Sequence, residues 1–445
     1  MSVMGNILAL IVTLGVLVTV HEFGHFWVAR RCGVKVLRFS VGFGPVLLNR
    51  FGKDGTEYAL AAIPLGGYVK MLDEREAPVE PALLDQAFNR KSVWQRIAIV
   101  AAGPVANIIF AIFAYWLLFI TGVTQVKAVI GGITENSPAQ LAHLPAEGVI
   151  TAVNDTAVTS WSDVNYALIG VLGETGIIRI SVDGNEYALA VDNWLAEAEE
   201  PDPLSSLGIE PYRPQVPAVI DQVSADSAAQ LAGLQSGDKI ISIDSQAVND
   251  WFDFVKTVQA SPGQVLKVLV ERDGVDVELR LIPATISDAQ GNEKGFAGAS
   301  VVAPQLPQDF ILQQKFDPLT AVAKGISKTW DMSVMTLDAM GKMLQGMLSV
   351  KNLSGPITIA KVANASAQAG FEAFISFLAY VSVMLAVMNL LPVPVLDGGH
   401  LLFYVIEAVK GSPVSEKIQM LGMKIGMGLL FTLMGIAIFN DLSRL

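Results

Sequence analysis

His21-Glu22-Phe23-Gly24-His25 lies inside an apolar run from Met4 to Ala29, and this placement constrains the fold more than any other feature of the chain. On a helix, residues four apart share a face, so an HExxH pattern brings two imidazoles to one metal ion. The intervening Glu then stands beside the metal's open position and takes a proton from bound water. The run has the roughly 20 apolar residues needed to cross the hydrocarbon core of a bilayer. Ionisable groups at that depth are costly and mark function. The chain has only 4 His, and two of them are here. No Lys or Arg precedes the run and no small-residue cleavage pattern follows it, so it reads as a retained helix rather than a signal peptide.

The remaining composition agrees. A chain that is 52% hydrophobic and 16% charged, with mean hydropathy +0.48, belongs to an integral membrane protein with soluble parts. A net charge of -12 and the lack of a basic, aromatic-rich cluster exclude nucleic acid as a partner. The single cysteine, Cys32, excludes an internal disulfide framework and a cysteine-based metal cage, and reads as a small packing residue.

Four segments have the length to span: Met4 to Ala29, Ile97 to Val123, Phe371 to Leu391 and Met423 to Phe439. Arg30, Arg31, Lys35 and Arg38 follow the first, Arg90, Lys91 and Arg96 precede the second, and Lys410, Lys417 and Lys424 lie between the last two. The positive-inside rule makes both loops cytoplasmic, and places the termini and the long central segment on the far side, the periplasm of a bacterium. The first loop carries Gly42-Phe43-Gly44-Pro45 and Pro64-Leu65-Gly66-Gly67 among alternating, β-favouring stretches. These predict hairpins that lean on or dip into the bilayer.

The central segment repeats with an offset of about 90 residues, too long for a solenoid and suited to two tandem domains. Val129-Ile130-Gly131-Gly132-Ile133 parallels Val219-Ile220-Asp221-Gln222-Val223, and Trp161 parallels Trp251. Ala232-Gly233-Leu234-Gln235-Ser236-Gly237-Asp238 resembles the carboxylate loop of PDZ domains, and Leu141 to Ile150 is a degenerate form of it. That resemblance implies capture of a peptide C-terminus at the second unit by strand addition. After a linker at Pro304 to Pro307, apolar residues at helical spacing (Val322, Ile326, Trp330, Val334, Leu337) predict an amphipathic helix on the membrane or against the spans.

The predicted fold is a polytopic α-helical membrane protein with four transmembrane helices, a membrane-associated β-region and two tandem PDZ-like, β-rich α+β domains in the periplasm. The predicted boundaries are 1–30 for the first transmembrane helix, 31–96 for the cytoplasmic loop with β-hairpins and 97–123 for the second helix. The PDZ-like units take 125–215 and 216–305, followed by a linker and amphipathic periplasmic helices over 306–370. The third transmembrane helix takes 371–400, a cytoplasmic loop 401–422 and the fourth helix 423–441.

A hydrolytic zinc commonly has three protein ligands and one open position. The residues offer Asp397 and His400 for the third, in Asn389-Leu390-Leu391-Pro392-Val393-Pro394-Val395-Leu396-Asp397-Gly398-Gly399-His400, and spacing alone does not choose between them. His₂-carboxylate also suits iron or cobalt. Pro392 and Pro394 break the third span on the same side as HExxH.

HEFGH in the first span, the Asn-x-x-Pro-x-Pro-x-Leu-Asp-Gly stretch and the tandem PDZ-like units between the second and third spans together resemble the site-2 protease family of intramembrane zinc metalloproteases, over essentially the whole chain. The resemblance implies zinc held by His21, His25 and Asp397, with Glu22 catalytic. It implies substrate handling by Asn389, Pro392 and Pro394, and by Gly42, Gly44, Gly66 and Gly67 of the β-region. It further implies cleavage within single-span membrane proteins already trimmed on the periplasmic side, including an anti-sigma factor of the envelope stress response and remnant signal peptides. The expected location is the bacterial inner membrane, with the active site near the cytoplasmic face. Two other classes compete: a non-enzymatic membrane adaptor, which has no need of His, Glu and His at depth, and a metal or proton transporter, which would usually repeat its ionisable positions between two halves.

Overall fold

The computed structural model describes residues 3–198, 201–287, 293–301 and 307–443. Positions 304–306 of the expected linker Pro304 to Pro307, the boundary between 305 and 306, and the closing Arg444 and Leu445 lie outside the described residues. Helix α1 is Val3–Arg31 and ends on Arg30 and Arg31, cations that suit the negative end of a helix dipole. Strands β1 (Val36–Phe51) and β2 (Glu57–Met71) follow. Helix α2 is Val93–Thr121 and starts four residues before the expected Ile97, because Ser92 and Gln95 form a capping box that satisfies its first N–H groups. Among the described residues, α1, α2, Phe371–Leu390 and Glu416–Ser443 are the four helices long and apolar enough to span.

The chain leaves α2 through strand β3, Val123–Val126, and returns after the central segment through β4, Ile311–Gln314. These two pair antiparallel, with Val126 opposite Ile311 and Val123 opposite Gln314, so the chain enters and leaves the central segment through a two-stranded stalk. Its two units repeat in backbone detail as well as in sequence. Asn136 and Asp226 have φ of 58° and 56°, Asn154 and Asp244 of 49° and 48°, Asp183 and Asp273 of 49° and 50°. These are the short polar residues that tolerate the left-handed region. Trp161 and Trp251 open equivalent helices, capped by Ser160 and Asp250. Separate cores form around Ile130, Ile150, Ile180 and Leu189, and around Ile240, Phe254, Val268 and Val270. In the second unit Asp238, buried, binds Arg272 through both carboxylate oxygens, and Arg272 also donates to the Gly233 carbonyl. Gly148 occupies the place of Asp238 in the first unit, which therefore lacks this clasp.

Helix α3, Pro318–Leu344, follows β4 and is the predicted amphipathic helix. Its orientation has a physical logic the apolar stripe did not reveal. Gly325 meets the backbone of Ile112 and Trp116, and Ala321, Thr329 and Met332 are buried, so the small-residue face packs on α2. Val322, Ile326, Trp330, Val334 and Leu337 remain exposed. At its far end Lys342 bonds Glu174 at 2.7 Å and the Gly170 carbonyl, tying α3 to the first unit. Helix α4 is Pro356–Ala369.

The third span, α5, is Phe371–Leu390 and stops one residue short of the expected Leu391, at the proline break, so the unit bounded at residue 400 is not one continuous helix. Residues 391–396 are irregular, and a new helix, α6, runs over Asp397–Lys410, much of which was expected as cytoplasmic loop. Pro392 and Pro394 lack the N–H that would prolong α5. Gly398 and Gly399 let α6 start directly against the backbone of Leu390, Leu391, Val393 and Pro394, where a Cβ would overlap. Between them Val395 adopts φ 114°, a strained conformation for a β-branched residue. The fourth span, α7, is Glu416–Ser443 and buries only Gly426, Asn440 and Asp441. Gly426 sits against Pro394. Asp441 accepts from the N–H groups of Gly355, Ile357 and Thr358, orphan donors at the start of α4, and Asn440 donates to the carbonyls of Val350, Lys351 and Leu353.

The Asp238 clasp carries a test. Burial alone would raise the Asp238 carboxyl, but the Arg272 guanidinium and the Gln235 N–H hold it below the usual carboxylate range. A depressed folded-state pKa adds stability that is full above the unfolded value of about 4 and is lost as the pH falls through the lowered one. Asp238→Asn is expected to cost the second unit about 2 kcal/mol, at the scale of hydrogen bonds to charged groups. Hydrogen exchange of residues 239–243 should accelerate at neutral pH, with the gap to the parent closing in acid.

Candidate metal centre

The site is assembled by α1, α2, β2 and α6. His21 and His25 project from one face of α1, with ring centroids 4.9 Å apart, and both are buried. Asp397 is the first residue of α6, where the positive end of the helix dipole favours a carboxylate. His21 Nε2 lies 3.1 Å from Asp397 Oδ2, His25 Nε2 lies 3.5 Å from the same oxygen, and the two Nε2 atoms are 3.2 Å apart. These spacings can be compared with a metal's requirement. Ligands about 2.05 Å from a tetrahedral zinc sit about 3.3 Å from one another. Three buried donor atoms thus stand at the vertices such an ion needs, and Asp397 Oδ2 has no conventional hydrogen-bond donor of its own. The residues present fit the zinc that the sequence implies. Among the described residues His21, His25 and Asp397 form the one such group of potential ligands, and His400 is not part of it.

Helix α2 holds both imidazoles from behind. The Ile99 carbonyl receives His25 Nδ1 at 2.8 Å, and Asn107 Nδ2 lies 3.4 Å from His21 Nδ1. A carbonyl only accepts, so the proton of neutral His25 is on Nδ1 and its Nε2 lone pair faces the other ligands. Glycines make room for this approach. A Cβ on Gly103 would strike His25 Nε2 and come within 2.9 Å of His21 Cε1, and one on Gly24 would strike the Ala102 carbonyl. On the opposite side β2 passes Glu22: a Cβ on Gly67 would lie 3.0 Å from Glu22 Cγ and 2.7 Å from the Ser40 carbonyl.

These groups line a cavity of about 590 Å³ that also includes Asp73, Arg75, His400 and Gln419. Of the residues expected to handle substrate, Gly67 lines it. Gly42 and Gly44, with φ of 93° and 85°, form the bend of β1, and Gly66 packs on Phe43. Asn389 donates to the Leu385 carbonyl of its own helix, and Pro394 supports α7. The roles of Gly103, Asn107 and the Ile99 carbonyl were not foreseen. The signal available was a polar Asn beside a Gly-Pro pair in an otherwise apolar span.

Comparison with known proteins agrees with this geometry. A family profile described as Peptidase family M50 matches residues 9–433. The Regulator of sigma E protease of Salmonella typhi is 48% identical over 450 residues, covering 100% of both chains. The Regulator of sigma-E protease RseP of Escherichia coli K12 is 47% identical with the same coverage. The words "zinc metalloprotease" stand in the name of a Vibrio cholerae relative, 44% identical over 450 residues and 100% of both chains.

The crowding at Gly103 predicts a specific defect. Gly103→Val should displace both imidazoles and lower zinc affinity by at least tenfold, read by chelator competition and by metal content of the purified protein, while the distant central units keep their hydrogen-exchange protection.

Proposed function

Because this chain belongs to peptidase family M50, we propose that it is a zinc endopeptidase that cuts within the transmembrane segments of single-span membrane proteins after their periplasmic parts have been trimmed. The convergence of His21, His25 and Asp397 beside Glu22, inside a span, carries this reading. At 1.5 Å per residue His25 lies about 9 Å and His21 about 15 Å from the Arg31 end of α1. With Arg30, Arg31, Lys35 and Arg38 on the cytoplasmic side, the chemistry takes place in the cytoplasmic part of the membrane, and the two repeated units are periplasmic.

Bound zinc supplies a water of lowered pKa and polarises the scissile carbonyl. Glu22, held close against Gly67 of β2, takes the water proton and delivers it to the leaving amide nitrogen. A substrate helix arrives with its amides already paired, and unpairing them in lipid costs several kcal/mol for each unsatisfied group. Gly67–Met71 pairs with β1 on one side and lines the metal cavity on the other, so its second edge offers replacement partners to an extended substrate. Gly42, Gly44 and Gly66 shape this strand pair. Asn389 offers its amide oxygen to a substrate N–H, and Pro392 and Pro394 keep the adjoining backbone open. The names of the relatives support an anti-sigma factor as one substrate, with remnant signal peptides as another class. The two repeated units act as PDZ-like domains that exclude bulky ectodomains, and the second captures peptide C-termini.

Two experiments test this. Glu22→Gln is expected to keep zinc and to lose cleavage of a model transmembrane substrate by about 10²-fold or more. An adaptor would be indifferent to that change. Separately, Val126 and Ile311 face each other in the stalk, so residues 127–310 can be replaced by an Asn-Gly turn that closes β3 and β4 into a hairpin. The shortened protein should cut untrimmed substrates that the parent leaves intact. Continued refusal of them would count against size exclusion.

A further inference from the structure

We propose that Asn107 is a positioning residue for the metal: its side-chain oxygen receives the Nδ1 proton of His21 and so fixes the tautomer whose Nε2 lone pair faces the ion. The inference rests on the zinc reading above and concerns the shell behind the ligands.

His21 and His25 are held differently. For His25 the partner is the Ile99 carbonyl, which admits a single tautomer. For His21 the partner is a carboxamide, whose two ends have opposite polarity. An imidazole that binds metal through Nε2 carries its proton on Nδ1, and that proton needs an acceptor. Asn107 Nδ2, a donor, lies 3.4 Å from His21 Nδ1, while Asn107 Oδ1 is buried without a hydrogen-bond partner. A half-turn of the amide exchanges these atoms at almost no steric cost, because oxygen and nitrogen are nearly isosteric. It turns a donor facing a donor into a hydrogen bond and gives the orphaned oxygen its partner. With metal on His21 Nε2 the Nδ1 proton needs an acceptor, and in a region without water an unmade hydrogen bond costs about 1–3 kcal/mol, so the metal-bound state favours this orientation, the amide nitrogen then taking the place the oxygen left.

The residue is also held for this task. Asn107 is fully buried, and Ser382 on α5, equally buried, donates to its backbone carbonyl at 2.9 Å. Three spans therefore meet at one point: α1 brings the imidazole, α2 the amide and α5 the hydroxyl that steadies α2. An outer partner of this kind typically contributes 10–100-fold to metal affinity.

The test compares full-length wild type, Asn107→Asp and Asn107→Leu by zinc competition against a chelator, with thermal unfolding recorded alongside. Asp retains an acceptor and cannot donate; Leu retains neither. Asn107→Leu is expected to bind zinc 10–100-fold more weakly, and Asn107→Asp to match or exceed wild type. Equal affinity in Leu and wild type overturns the proposal, as does an Asp variant as weak as Leu. If wild type itself binds no zinc, the zinc reading fails instead. Should neither variant fold, ¹⁵N-histidine spectra of the cadmium-loaded wild type decide, since only 4 His contribute signals. A His21 Nδ1 proton shielded from solvent exchange is expected, and an unprotonated or freely exchanging Nδ1 overturns the proposal.

Discussion

The contact between α1 and α2 determines whether this protein can hold a metal at all. Two imidazoles in an apolar span are stable only if each ring nitrogen has a partner, and lipid provides none. Helix α2 provides them, but only because Gly24 and Gly103 remove the side chains that would keep the two backbones apart. Small residues at helix contacts are the usual device for close approach in membranes, where packing rather than hydrophobic transfer drives association. Here the close approach also orients the two rings. Pro104 adds to this by interrupting the backbone ladder of α2 beside the imidazoles.

The third ligand arrives by the opposite strategy. Asp397 lies on no spanning helix; it opens α6, which begins only because α5 has stopped. Two prolines end one helix, two glycines let the next start within contact distance, and Val395 absorbs the strain of the reversal. The loop is held from outside by α7 through Gly426, and α7 is in turn held at its other end by Asn440 and Asp441 on the start of α4. Asp397 is thus braced by a chain of contacts that crosses the membrane. The histidines are braced by direct packing.

That contrast explains what could be read from the sequence. HExxH was legible because its chemistry is local: two imidazoles and a Glu on one helical turn. The four spans were legible from apolar length, and the repeat from its turns, whose Asn and Asp residues recur in the left-handed region. The break after α5 was legible from Pro392 and Pro394, but prolines mark a break without saying whether the chain then loops or restarts a helix; the answer lay in the fit of Gly398 and Gly399 under Leu390 and Leu391. Trp330 and its neighbours were read correctly as helical. The face that packs was instead marked by Ala321, Gly325 and Thr329, because close approach in this setting selects small residues over large apolar ones. Asn107 in isolation looked like an ordinary polar residue in a span. Its role depends on His21, which lies 3.4 Å away across a helix contact.

A site of this kind must reconcile a dry scaffold with a reaction that consumes water. The described cavity does so by asymmetry. One wall is apolar helix, where α2 braces the ligands. The other walls are β2 with Asp73 and Arg75 just beyond it, the start of α6 with His400, and Gln419 of α7. These polar walls offer water a way to Glu22 that avoids hydrocarbon, and Gly67–Met71 lines the same cavity. An extended substrate strand laid on that segment would narrow the wet side of the cavity, leaving the metal-facing water between the peptide and Glu22. Exposed polar backbone and bulk water, the two conditions a membrane forbids, are thus confined to one face of the site, while the opposite face keeps the helix packing that holds the ligands in register.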